Sequence, residues 1–122
     1  MKKTLKVGQI IGAYMVFTSP KYSKADMDIN VAMWFMRNGR EFETVRDIFE
    51  VKRKALFDAI AIEDKKKSKS VPKDKMPEYE AEIIKVIEDE VEVEVCMMSL
   101  QALQDFVITP SDLSAIEIAI EG

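Results

Sequence analysis

The apolar residues of this chain recur at two periods, and the change between them predicts the fold. Phe35, Phe42, Phe49 and Leu56 stand seven residues apart, and Val31, Asn38, Val45, Lys52 and Ala59 form a companion row four residues earlier. Two apolar rows at that offset line one helical edge. They predict one long helix from about Asp26 to Ile62, opened by a capping-box-like Ser23 and Asp26. Its packing seam comprises Val31, Phe35, Phe42, Val45, Phe49 and Leu56. Asn38-Gly39 is a break signal inside this pattern, yet the seam keeps its phase across it, so the helix is expected to continue with at most a kink. Trp34, Met36, Ile48 and Ile60 lie off the seam and widen the stripe, which implies more than one packing neighbour.

The flanking segments follow the same logic. Ile10, Ile11, Tyr14 and Phe17 predict a first helix over Leu5 to Phe17, with Thr4 as its N-cap and Ser19-Pro20 after its end. Gly8 and Gly12 share one face of it and suggest close approach by another backbone. Pro77 opens a third helix, with Glu78, Glu80 and Glu82 at the positive end of its dipole and Tyr79, Ile83, Ile84, Val86 and Ile87 on its buried face. It should return beside the long helix as an antiparallel hairpin. Residues 64–76 between them are rich in lysine and polar groups and are expected to form a mobile loop. Further on the period becomes two: Val91, Val93 and Val95 alternate with Glu92 and Glu94, predicting a half-buried strand. Val107-Ile108 is the expected partner strand. A helical turn lies between them, and Thr109-Pro110-Ser111-Asp112 starts a last helix that reaches Gly122. The fold class read from these elements is α+β, mainly helical: a long helical hairpin, a short two-stranded element and a C-terminal helix in a single domain of 122 residues.

Composition narrows the chemistry. The chain has no histidine, which removes the commonest general base and the commonest metal ligand together. The single cysteine, Cys96, permits no intrachain disulfide and has no histidine to activate it as a nucleophile. No serine triad, phosphate-binding glycine loop or EF-hand spacing occurs. We therefore assign no catalytic residue, no metal ligand, no cofactor and no small-molecule substrate. A net charge of −4 gives no basic footprint for nucleic acid. The lysines of 64–76 lack the arginines and aromatics that would grip and stack bases. No apolar run is long enough to span a bilayer, and Met1-Lys2-Lys3 is not followed by a signal-peptide core. The chain reads as a cytoplasmic protein.

What remains is surface for another protein. Eight methionines are many for this length, and methionine suits adaptable contacts as well as cores. Trp34 beside Met33, the polar seam residue Asn38, and the acidic row Glu88, Glu90, Glu92 and Glu94 form the candidate protein-binding set. The bland alternatives are a core tryptophan and a solvated acidic face. Arg37, Arg40, Arg46 and Arg53 alternate with carboxylates along the long helix, as helical ion pairs would. Asn38 and Lys52 in the seam are alternatively register-setting residues of a homo-oligomer.

Three stretches resemble a family of small uncharacterised phage and prophage proteins. They are Leu5-Lys6-Val7-Gly8-Gln9-Ile10-Ile11-Gly12-Ala13-Tyr14, Glu50-Val51-Lys52-Arg53-Lys54-Ala55-Leu56, and Glu90-Val91-Glu92-Val93-Glu94-Val95 followed by Ile108-Thr109-Pro110-Ser111-Asp112-Leu113. The chain departs from the family pattern at Ser19-Pro20 and Asn38-Gly39. The family has no assigned activity, so the resemblance transfers no functional residue. It implies a phage setting, hence a bacterial cytoplasm or a virion. Two functions follow as expectations: a phage-encoded module that occupies a surface of a host protein, in defence or takeover, or a virion or assembly component that self-associates through the long helix.

Overall fold

The structure is a computed structural model that describes residues 1–23, 27–60, 62–63 and 69–121. In chain order the elements are β1 (Lys2–Lys6), α1 (Val7–Phe17), α2 (Pro20–Ser23), α3 (Ile29–Ile60), β2 (Ile62–Glu63), β3 (Lys69–Ser70), α4 (Met76–Glu88), β4 (Glu90–Glu94), β5 (Met98–Ser99), a 3-10 turn (Leu100–Leu103), α5 (Pro110–Ala115), a second 3-10 turn (Glu117–Ala119) and β6 (Ile120–Glu121). The molecule is mainly helical α+β, organised on α3. Its first half packs on α1 and its second half on α4.

The N-terminus departs from the sequence expectation. Lys2–Lys6 is a strand, not the start of a helix, and Thr4 caps nothing. Helix α1 begins at Val7, with the Lys6 N–H donating to Gln9 Oε1 at 3.0 Å. The strand forms because it pairs antiparallel with β4, setting Lys2, Thr4 and Lys6 opposite Glu94, Glu92 and Glu90. Opposite charges across a ladder stabilise the pair, and Leu5 with Val91 and Val93 supplies the inward face. The expected partner, Val107-Ile108, belongs to no strand, and Val107 is almost wholly exposed. A local pattern cannot specify a partner some ninety residues away.

Helix α3 runs unbroken through Asn38-Gly39. Both residues are contact points. A Cβ on Gly39 would stand 3.3 Å from Thr18 Cγ2, so the glycine admits the end of α1. Asn38 is fully buried and grips the backbone of Cys96, its Nδ2 donating to the carbonyl at 2.9 Å and its Oδ1 accepting the N–H at 2.8 Å. Trp34 Nε1 donates to the same carbonyl at 2.6 Å. Beyond the end of β4, two helix side chains satisfy the peptide groups that a strand neighbour would otherwise bond. A capping role for Ser23 and Asp26 lies outside the described residues; Asp28 Oδ1 accepts the Asn30 N–H at the start of α3.

Around this clamp sits the core. Phe17 meets Trp34, Phe35 and Phe42 edge-on, with centroids 5.1, 5.2 and 6.0 Å apart, and Tyr22 and Phe106 extend the cluster through Phe35. Ile10, Ala13, Val93, Val95, Ile116 and Ala119 close it. Of the predicted seam, Val31, Phe35 and Phe42 are buried, Val45, Phe49 and Leu56 are half-buried, and Lys52 and Ala59 are exposed.

Helix α4 begins as predicted, with proline in its first turn, and lies against α3 through Phe57 and Tyr79. Gly8 admits its end, because a Cβ there would stand 3.3 Å from the Ile87 carbonyl oxygen; Gly12 has open space. Between α3 and α4 a short ladder pairs β2 with β3, so part of the expected 64–76 loop is strand and turn, and residues 64–68 lie outside the described residues. Thr109 caps α5 as predicted, accepting the Asp112 N–H at 3.3 Å. That helix ends at Ala115, short of Gly122, and the chain turns to pair β6 parallel with β5.

Two sets of variants test this packing. Asn38→Leu should lower unfolding free energy by about 2–3 kcal/mol, because the buried Cys96 N–H loses its acceptor; urea denaturation measures it. Gly12→Ala should stabilise by about 0.5–1 kcal/mol, the helix-interior difference between the two residues. Gly8→Ala should forfeit that gain against the Ile87 carbonyl, so the two melts should diverge.

Candidate protein-binding surface

The expected binding residues separate into two groups. Trp34 and Asn38 are 1% and 0% exposed, so neither is available to a partner: the bland reading of Trp34 holds, and Asn38 is a packing clamp. The reason is the indole N–H and the side-chain amide, which find backbone partners inside the fold. Met33 is at the surface, on the same exposed flank of α3 as Ile29 and Met36. Met97 and Met98 are partly buried against the core. Tyr22 is buried too, and Tyr14 is half-covered by the Arg46 guanidinium 5.1 Å from its ring.

The acidic row is exposed, as its alternation requires, but it does not form a bare negative face. Lys6 Nζ binds Glu88 at 2.8 Å, the Met1 ammonium binds Glu94 at 2.8 Å, and Lys2 approaches Glu92 at 3.7 Å. Among the described residues, no cation lies within ion-pair distance of Asp89 or Glu90. On α3, Arg46 pairs with Glu43 and Asp47, and Arg53 with Glu50. Arg37 and Arg40 have no ion-pair partner among the described residues, contrary to the expected ladder of helical pairs.

A groove that no local pattern announced runs between α3 and the acidic strand. Thr44, Val45, Ile48 and Phe49 of α3 face Val86, Asp89 and the run Glu90–Val91–Glu92 across a cleft of about 310 Å³, with Lys52 on the α3 wall. A second cleft of about 540 Å³ lies where Arg37, Arg40 and Glu41 face Glu94, Val95 and Met97. The periodicity of α3 contained a hint, since Ile48 stood outside the seam. The alternation of β4 predicted the strand that carries Glu90–Glu92, but not its place opposite Ile48. A third hollow of about 580 Å³, lined by Leu100, Leu103, Phe106, Ile108 and Leu113, is apolar and shallow. Among the described residues no cluster of three metal-ligating side chains occurs. Nor is any described helix long and apolar enough to cross a membrane.

Compared with protein-family models, curated proteins and solved structures, the chain matches none.

Several charges are shifted by their neighbours. A hydrogen bond from the Met1 ammonium holds the Glu94 carboxyl below its ordinary range. The Tyr22 hydroxyl, donating from the core, does the same to Asp112. The Glu88 carboxylate holds the Lys6 ammonium above its ordinary value. Glu94 and Asp112 titrate lower folded than unfolded. Their stabilisation is therefore in place above the unfolded values of 4.5 and 3.8 and is lost as pH falls through the lowered folded values. Glu94→Gln and Asp112→Asn should each flatten the acid side of the curve of melting temperature against pH, leaving the neutral side shifted but parallel. An acid limb unchanged in both variants would show that these contacts are absent in solution.

Proposed function

We propose that this chain is a non-enzymatic protein-binding module that occupies a surface of another protein. In the phage setting that the resemblance implies, that surface belongs to a host protein. One observation carries the reading. No residue of α3 beyond Phe42, and none of α4, is fully buried among the described residues. The hairpin's distal half is a two-helix arm whose apolar side chains are only half covered. Ile48, Val51 and Ile84 are 54%, 71% and 54% exposed. A globular core has no use for apolar residues held in water on a rigid helix, whereas an interface does. Helix α4 is strongly amphipathic, and two packed helices present their outer faces as a ready-made groove-and-ridge surface.

The same exposure favours a second reading, a virion or assembly component that self-associates along α3. The two differ in what covers the arm, and light scattering of the pure protein separates them. A monomer at high concentration that captures a stoichiometric partner from host lysate supports the first. A concentration-dependent oligomer, or the protein's presence in purified particles, supports the second. Ile48→Asp and Ile84→Asp alter exposed positions and should leave stability within about 0.5 kcal/mol. Under the first reading each should weaken partner capture about tenfold or more, a loss of about 1.4 kcal/mol. Undiminished capture by both variants would remove the arm from the interface.

A further inference from the structure

We propose that the open edge of β4 is a strand-addition site, which takes an extended segment of a partner protein with basic residues alternating with apolar ones. The proposal rests on the protein-binding reading and names where, and with what chemistry, a partner docks.

The ladder identifies the free groups. Val95 N–H donates to Met1 O, and Val7 N–H donates to Asp89 O, each at 2.8 Å. With Lys2 opposite Glu94 and Lys6 opposite Glu90, these bonds direct the odd-numbered residues of β4 toward β1. The N–H and C=O groups of Glu90, Glu92 and Glu94 then point the other way. The sheet has only two strands, and among the described residues no backbone bond is made to those groups. An uncovered edge of this kind is a template for another strand.

The surroundings fit one. The cleft between α3 and β4 lies beside this edge at Glu90–Glu92. Asn38 already occupies the groups of Cys96 on this edge, so the free stretch runs from Glu90 to Glu94, ~13 Å at the strand rise per residue. An extended segment of about five residues covers that distance. Charge sets the pattern of the occupant. On the outer face an added strand would meet Glu90 and Glu92, and neither Glu90 nor the neighbouring Asp89 has a described cation within ion-pair distance. On the inner face it would meet Val45, Ile48 and Phe49. Strand β1 already solves the same problem on the opposite edge, with Lys2 and Lys6 across from glutamates and Leu5 turned inward. Basic residues at every second position are therefore the complement of this edge.

The probe is a capped peptide of about five residues alternating lysine and valine, matched to the length of the free edge. It is titrated into the full chain while amide exchange is followed by NMR. Saturable binding should slow exchange at Glu90, Glu92 and Glu94 by about tenfold or more, the mark of new hydrogen bonds. A glutamate–valine peptide should bind about tenfold more weakly or worse. A lysine–valine peptide N-methylated at every residue should not bind, because its charges remain and its donors are gone. Glu92→Pro removes an N–H that β1 does not use, so it should leave the ladder intact and abolish binding. If that variant fails to fold, the N-methylated peptide still decides. Equal binding by the N-methylated peptide, or unaltered exchange at Glu92 when the peptide saturates, overturns the proposal. Protection of the edge that appears with dimerisation and no peptide also overturns it, naming a second copy as the occupant. A lysate partner captured while the edge amides exchange freely overturns the edge and leaves the proposed function standing. Peptide addition at the edge in a chain that captures no partner supports the edge and removes the proposed function.

Discussion

The peptide of Cys96 held by Asn38 and Trp34 is the contact on which the arrangement of the molecule depends. A single long helix has no inherent reason to sit at any one height beside a two-stranded sheet. Hydrophobic contact alone is non-directional and would tolerate sliding. The Asn38 amide bonds both the N–H and the C=O of Cys96, and the Trp34 indole takes the carbonyl's other lone pair. That geometry admits one register. A buried polar network of this sort specifies position because any slip leaves its members unsatisfied in a low-dielectric interior. With Cys96 fixed, β4 lies alongside α3, and the N-terminal strand has a defined partner.

From that point the two halves of α3 have different surroundings. The half before Phe42 buries Val31, Trp34, Phe35 and Phe42 among the rings of Phe17 and Tyr22 and the last residues of the chain. Edge-to-face aromatic pairs add about 0.5–1.5 kcal/mol each beyond the area they bury, so this end resists opening. The half beyond Phe42 lies against α4, with Arg46 reaching over Tyr14 of α1, and its apolar residues remain at least partly in water. Regions with few buried contacts open at lower free energy than the core. A rigid base with a less stable, apolar arm is a physically sensible division under the proposed function, in which the arm meets the partner.

Electrostatics supports the same division. Of the β4 glutamates, Glu92 is approached by Lys2 and Glu94 is bound by the Met1 ammonium, while Lys6 binds Glu88 at the end of α4. Among the described residues, Asp89 and Glu90 beside the groove have no cation within ion-pair distance. Surface pairs of this type contribute little to stability in high dielectric. Their larger consequence is for recognition, since an acidic, half-satisfied edge attracts cationic segments and repels acidic ones. The Tyr22 hydroxyl bonded to Asp112 ties the C-terminal turn to the aromatic core by a charge-assisted contact, which explains why the short helix α5 holds its place.

Much of this was legible from residue order. The seven-residue repeat of phenylalanines and Leu56 predicted one helix, and it persists through Asn38-Gly39 because tertiary contacts use both residues. Pro77 and Thr109-Pro110 marked helix starts, and the valine–glutamate alternation marked a strand, because local backbone chemistry determines each of these. Tertiary structure decided the rest. Whether Lys2–Lys6 is helix or strand depended on glutamates some ninety residues away. Whether Trp34 and Asn38 faced a partner or the interior depended on where the Cys96 peptide came to rest. The groove beside β4 has walls from three separate segments. Sequence patterns report the period of a segment and which of its faces is apolar. They carry no information about which distant segment covers that face, since packing is a relation between elements and not a property of any one of them.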